Sequence, residues 1–281
     1  MRAQKTQGSG YRAAICLVAL ALVGGCASKP KSALNSRPSP SPNVLDLTNI
    51  RSYGKVLKHK GIVNKQLVRY FVSTGQYVLA LRHTETLLKK DSNDAELHFL
   101  KGFALRELGR YEVAVKELKT ACKLHRNYAE AWNALAVTYD RMRKPEEAEK
   151  AFLQALKITP TSPKYLNNLG FSYFSRGRYD KAVEAYKKGL ASYPNNVQIH
   201  NNLGFAYGML GRYEEALAEF KQAGRDEVAY NNQGFVYYML GYNDQAKVMY
   251  AKALESNPKF TKARDNLRIV ENEGKGASSA P

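Results

Sequence analysis

Apolar and polar positions along this chain follow a helical period. Between Pro163 and Phe260, small and apolar residues recur three and four places apart in helix-length stretches, separated by breaks rich in Gly, Pro and Asn. The pattern then repeats itself. The segments YLNNLGFSYFSRGRYDKAVEAYKKGL, IHNNLGFAYGMLGRYEEALAEFKQA and AYNNQGFVYYMLGYNDQAKVMYAKAL each predict a helix, a turn at Gly177, Gly211 or Gly241, and a second helix. Gly170, Gly204 and Gly234 lie in the first helices, with Tyr173, Tyr207 and Tyr237 three places on. Ala182, Ala216 and Ala246 mark the second helices, followed four places later by Tyr186, Phe220 and Tyr250. Small residues at fixed offsets let two antiparallel helices approach closely, and the aromatics are expected to fill the space between one pair and the next. One pair cannot bury its face alone. The pairs are therefore expected to stack into an all-α superhelical solenoid.

The offsets extend toward the N-terminus. From Ala129 they are met by Trp132, Leu135, Ala136, Tyr139, Ala148, Phe152, Ala155 and Pro160. From Ala95 they are met by Gly102, Leu105, Gly109, Ala114, Leu118 and Ala121, and more weakly from Gly61 by Leu67, Val68, Phe71, Gly75 and Ala80. About six hairpins follow, near 61–94, 95–128, 129–162, 163–196, 197–226 and 227–260. Ala263, Leu267 and Val270 then share one stripe of a polar capping helix over 261–273, and 274–281 reads as a disordered tail. The spacing breaks once: Gly170 to Gly204 is 34 residues, whereas Gly204 to Gly234 is 30. The hairpin from Val197 has lost the end of its second helix and the following Pro-containing loop. Gly224 is expected to close that helix in a left-handed cap, with Asp226 starting the next one. The full pattern resembles the tetratricopeptide repeat.

The N-terminus has a different character. A basic start (Arg2, Lys5, Arg12), an apolar run from Ala13 to Val23 and the sequence Val23, Gly24, Gly25, Cys26 read as a targeting segment over 1–25. The run is too short to span a bilayer. It resembles a bacterial lipoprotein leader, which implies cleavage before Cys26 and acylation of Cys26. By the same resemblance, Ala27 and Ser28 after the Cys favour the outer membrane, with the chain facing the periplasm. Residues 26–49, rich in Pro, Ser and Lys, read as a flexible tether, and 50–60 as a lead-in to the repeats.

Charge and chemistry narrow the function. The chain of 281 residues carries a formal charge of +18, and nine Lys and Arg lie between Lys29 and Arg69 against one acid, Asp46. That run reads as a solvated linker and entry helix, or as a contact for anionic lipid or cell-wall polymer. Nucleic acid is excluded as a partner, since an exported lipoprotein meets none and the second helices interleave bases with acids. Of three cysteines, Cys16 and Cys26 belong to the leader and its end, which leaves Cys122 as a buried thiol. His59, His83, His98, His125 and His200 lack metal-ligand spacing, and His98 and His200 share the repeat position of Trp132, which points to packing. No phosphate-binding, dinucleotide or nucleophile-elbow motif is present, so no enzyme activity, metal or cofactor is expected.

What remains is a surface. The family resemblance implies a concave groove lined by the first helices, here Asn167, Asn168, Phe171, Asn201, Asn202, Phe205, Asn231, Asn232, Phe235 and Tyr238. Amides that both donate and accept can pair with an extended peptide backbone, while aromatics supply apolar pockets. The Lys and Asn set of a dicarboxylate clamp is absent. A lipoprotein leader ahead of such repeats, the shortened repeat and the closing PKFTKARDNL resemble the TadD family of tight-adherence (Flp) pilus lipoproteins. The chain is also similar to type IV pilus pilotins and to NlpI, an adaptor that gathers peptidoglycan hydrolases. The first resemblance implies help in assembling or localising a pilus secretin, the last a cell-wall adaptor; homo-oligomers are compatible with either.

Overall fold

The computed structural model describes residues 64–277. The leader, Cys26, the tether, the lead-in, His59 and the last four residues lie outside the described residues. Thirteen α-helices account for the described residues: α1 (Lys65–Ser73), α2 (Tyr77–Leu88), α3 (Ala95–Glu107), α4 (Tyr111–Leu124), α5 (Ala129–Arg141), α6 (Pro145–Ile158), α7 (Pro163–Ser175), α8 (Tyr179–Ser192), α9 (Val197–Met209), α10 (Tyr213–Ala223), α11 (Asp226–Met239), α12 (Asn243–Ser256) and α13 (Thr261–Ala277). They correspond to the six expected hairpins and the cap. They fall into two compact units, residues 64–142 and 143–277.

Side-chain caps occur on four of the odd-numbered helices and are lacking on α5 and α11. Asn64, Asp94, Ser162 and Asn196 cap α1, α3, α7 and α9 by accepting backbone N–H groups of the first turn. The even helices α2, α4, α6, α8, α10 and α12 have no such cap. Their start is dictated by the turn before them. Gly75, Gly109, Gly177, Gly211 and Gly241 all sit at φ between 72 and 82°. The next N–H reaches back into the preceding helix, as in Arg178 N to Tyr173 O at 3.0 Å and Tyr242 N to Tyr237 O at 2.8 Å. Arg143 occupies the matching place at φ 57°. Because an L side chain is strained there by about 1–2 kcal/mol, Arg143→Gly is expected to raise stability by up to about 1 kcal/mol, after the glycine's entropy is subtracted. A fall in the urea midpoint would contradict this.

In the first unit, Val68, Ala80, Leu100 and Ala104 form a buried cluster against which Phe71, Leu81 and Phe99 pack. Further along, Cys122 is 3% exposed. Burial pushes its thiol up to about 12, so it is not a thiolate at neutral pH.

The second unit shows why the repeat carries glycine in its first helix. A Cβ on Gly170 would lie 2.5 Å from the Tyr186 ring, one on Gly204 2.6 Å from Phe220, and one on Gly234 2.7 Å from Tyr250. In the first unit, Gly102 meets Leu118 in the same way, at 2.6 Å. Tyr186, Phe220 and Tyr250 therefore sit on the glycine of their own hairpin, which corrects the expectation that they fill the space between hairpins. First-helix tyrosines do reach across that space, Tyr237 meeting Tyr213 at 4.7 Å and Tyr173 donating to Glu149 at 2.8 Å, and Gly189 receives Ile199 and Gly208 receives Val236 there.

Two further expectations change. Gly224 has φ 171°, so its backbone is extended and no left-handed cap forms. α10 simply stops after 11 residues, where α8 and α12 run for 14, and Asp226 is the first helical residue of α11, with Arg225 before it. At the C-terminus, α13 continues through Ala277, so 274–277 is helical rather than tail. Val270 and Leu267 of α13 seal Ala246 and Tyr250 of the last hairpin, as a cap must.

Candidate protein-binding face

Four side chains at one repeat position bond to a carbonyl six residues earlier. His98 reaches Ser92 O, Trp132 donates to Arg126 O, His200 reaches Pro194 O, and Arg264 donates to Pro258 O. In both histidines the other ring nitrogen, Nδ1, lies 2.6 Å from a carboxylate on the following helix, Glu117 or Glu219. Each ring thus ties its own helix to the loop before it and the helix after it. The packing role read for His98 and His200 holds, but as polar ties. The shared position of Trp132, and a Glu nineteen residues after each His, were the signals that could have revealed them. His83 is stacked on Phe71 instead.

The remaining edge of the odd helices carries the candidate site. In the second unit α7, α9, α11 and α13 lie side by side, and asparagine amides join each to the next. Asn202 Nδ2 donates to Asn167 Oδ1 at 2.8 Å, Asn232 Nδ2 to Asn201 Oδ1 at 2.7 Å, and Asn266 Nδ2 to Asn231 Oδ1 at 2.9 Å. Asn167, Asn202 and Asn231 are buried, while Asn168, Asn201 and Asn232 are half-buried. Part of the capacity of Asn167, Asn201, Asn202, Asn231 and Asn232 is therefore used between repeats. Asn266 belongs to this series and was not singled out from the sequence, although it stands at the repeat position of Asn168, Asn202 and Asn232.

The aromatic residues divide. Phe205 is 5% exposed and packs edge-on against Phe220 at 4.9 Å, so it belongs to the core. Phe171, Phe235 and Tyr238 are half-buried and remain accessible, and Tyr238 Oη donates to Glu273 on α13 at 2.7 Å. Phe235 also lies edge-on to Phe205 at 6.3 Å. The accessible part of the predicted set is therefore Asn168, Phe171, Asn201, Asn232, Phe235 and Tyr238.

Beneath this face lies Gln233, 2% exposed, with Oε1 lacking a hydrogen-bond partner. Leu169 and Leu203 hold the equivalent places. A buried acceptor left unpaired costs about 1–3 kcal/mol. Gln233→Leu is expected to stabilise the chain by about 1–2 kcal/mol in urea unfolding; a loss would mean that Gln233 is satisfied in solution.

Comparison with known families agrees with this architecture. Four repeat models match: a TPR repeat over 172–211, tetratricopeptide repeats over 228–260 and 200–223, and the N-terminal TPR repeats region of Psidin over 70–179. The chain is built from tetratricopeptide repeats. Among solved structures, MamA is 28% identical, with a TM-score of 0.50, over 56% of this chain and 91% of that one. A tetratricopeptide repeat protein from Parabacteroides merdae is 16% identical, with a TM-score of 0.54, over 79% of this chain and 90% of that one. YrrB, described as a TPR protein with an unusual peptide-binding site, is 19% identical, with a TM-score of 0.50, over 65% and 96%. The last two likenesses concern the fold alone. No curated protein matches the chain. Tetratricopeptide scaffolds bind other proteins, and the face shared by α7, α9 and α11 is where this one presents accessible amides and aromatics together.

Proposed function

We propose that the chain is a non-enzymatic, outer-membrane-anchored tetratricopeptide scaffold that captures a partner protein on its first-helix face and supports assembly or localisation of a pilus secretin. The observation that carries the binding step is the row Asn168, Phe171, Asn201, Asn232, Phe235 and Tyr238, which sets accessible amides beside accessible rings on rigid helices. Support for the anchor comes from the sequence ending in Cys26, and support for the pilus from resemblance to TadD-type lipoproteins. The peptide-binding site described for YrrB is a precedent within the same fold.

The experiment follows secretin multimers, by amount and membrane, in cells with the chain, without it, and with Cys26→Ser. Multimers that vanish, or collect in the inner membrane, are the expected result. Multimers that persist while the pilus is lost would place the chain at a later assembly step. If the pilus also persists, the secretin role is wrong and recruitment of peptidoglycan hydrolases becomes the reading to pursue.

A further inference from the structure

We infer that the partner segment held on the α7–α9–α11 face is one without charged side chains, recognised through its main chain and small or apolar groups. This rests on the reading that the face binds protein segments, and it names their class. Tyr165 to Ser175, Val197 to Met209 and Val228 to Met239 contain no Asp, Glu, Lys or Arg. The one titratable ring among them that the loops engage, His200, is tied to Glu219 and to the Pro194 carbonyl. Charges appear at the borders: Lys164 at the start of α7, Asp226 and Glu227 in the first turn of α11, where Glu227 pairs with Arg225, and several residues of both signs on α13.

The first unit shows that neutrality is not a general property of these helices. There, α1 meets α3 through ion pairs: Lys65 Nζ with Asp94 at 2.8 Å and with Glu96 at 3.5 Å, and Arg69 with Glu96. Lys101 of α3 pairs with Glu117 at 2.6 Å. In the second unit α7, α9, α11 and α13 are joined amide to amide. A carboxylate or ammonium seated beside Phe171 or Phe235 would lose water and find no Asp, Glu, Lys or Arg in the helix segment that carries the ring, which is unfavourable. A peptide N–H or C=O would lose water and gain an amide partner. The face therefore selects against charge.

The test pans a phage-displayed random-peptide library against the full-length chain held in detergent. Only peptides released by Phe235→Ala are scored, since the basic chain will hold acidic peptides elsewhere, and circular dichroism checks that this variant stays folded. The expected peptides are poor in Asp, Glu, Lys and Arg. One Asp placed centrally weakens binding by about tenfold or more, and raising NaCl from about 0.1 M to about 0.5 M changes the Kd by less than about twofold. Asn201→Lys, which replaces the half-buried acceptor of Asn232 by an ammonium, is expected to shift the recovered set toward acidic peptides. Recovery of charged, salt-sensitive peptides by the unaltered chain would overturn this inference and leave the binding face standing. Failure to recover any peptide that Phe235→Ala or Phe171→Ala releases would overturn the binding face itself.

Discussion

Phe220→Ala is expected to remove about 3–5 kcal/mol of stability, read by urea unfolding of the full chain. Phe220 is 1% exposed, lies over Gly204, and meets the edge of Phe205 at 4.9 Å. Gly204 beneath the ring has no side chain to fill the space that it leaves. Each hairpin of a repeat array contacts only its neighbours, so the loss concentrates locally. Hydrogen exchange is expected to quicken in α9 and α10 first, then in α8 and α11, before α13. A uniform change along the second unit would show that it unfolds as one block and would sink the local account.

Gly170→Ala is expected to destabilise by about 1–3 kcal/mol, although Ala in a helix interior normally improves on Gly by about 1 kcal/mol. The new methyl would stand 2.5 Å from the Tyr186 ring. That ring is fully buried and cannot move aside. The signature is coupling: Tyr186→Leu in the Gly170→Ala background is expected to recover stability, with an interaction energy of about 0.5–3 kcal/mol in the double-mutant cycle. A Gly170→Ala chain that gains stability would remove the close approach as the reason for glycine there.

Much of this architecture could be read from the order of small and large residues. The hairpin count, the glycine turns, the shortened repeat after Val197 and the sealing role of Val270 all follow from periodicity, because they depend on volume and turn geometry that residue type alone encodes. What escaped was partner identity. Volume at a repeat position does not say whether Tyr186 packs inward on Gly170 or outward on the next hairpin. Nor does an asparagine's type say that its amide faces a second asparagine about one repeat away, since that depends on the rotation between hairpins. The left-handed cap at Gly224 failed for a related reason. Glycine permits that conformation but does not require it, and the shortened connection into α11 needs an extended residue instead.

For the candidate face, sequence located the helices and not the accessible subset. Phe171, Phe205 and Phe235 are the same residue type at one offset, yet Phe205 is enclosed by Phe220 and Phe235 while the other two stay half-open. Phe205 is enclosed by one ring of its own hairpin and one of the next, a neighbourhood that residue type at an offset does not encode.

The amide pairs make the array extensible. Asn167 meets Asn202, Asn201 meets Asn232, and Asn231 meets Asn266, always from one place in a repeat to the following place in the next. A duplicate of residues 163–196 inserted after Asn196 would find its amide counterpart on both sides, and its own Gly and Tyr would close its hairpin without outside help. Gene duplication could therefore lengthen the recognition surface by whole repeats in a single step, each addition arriving with its amide counterparts in place.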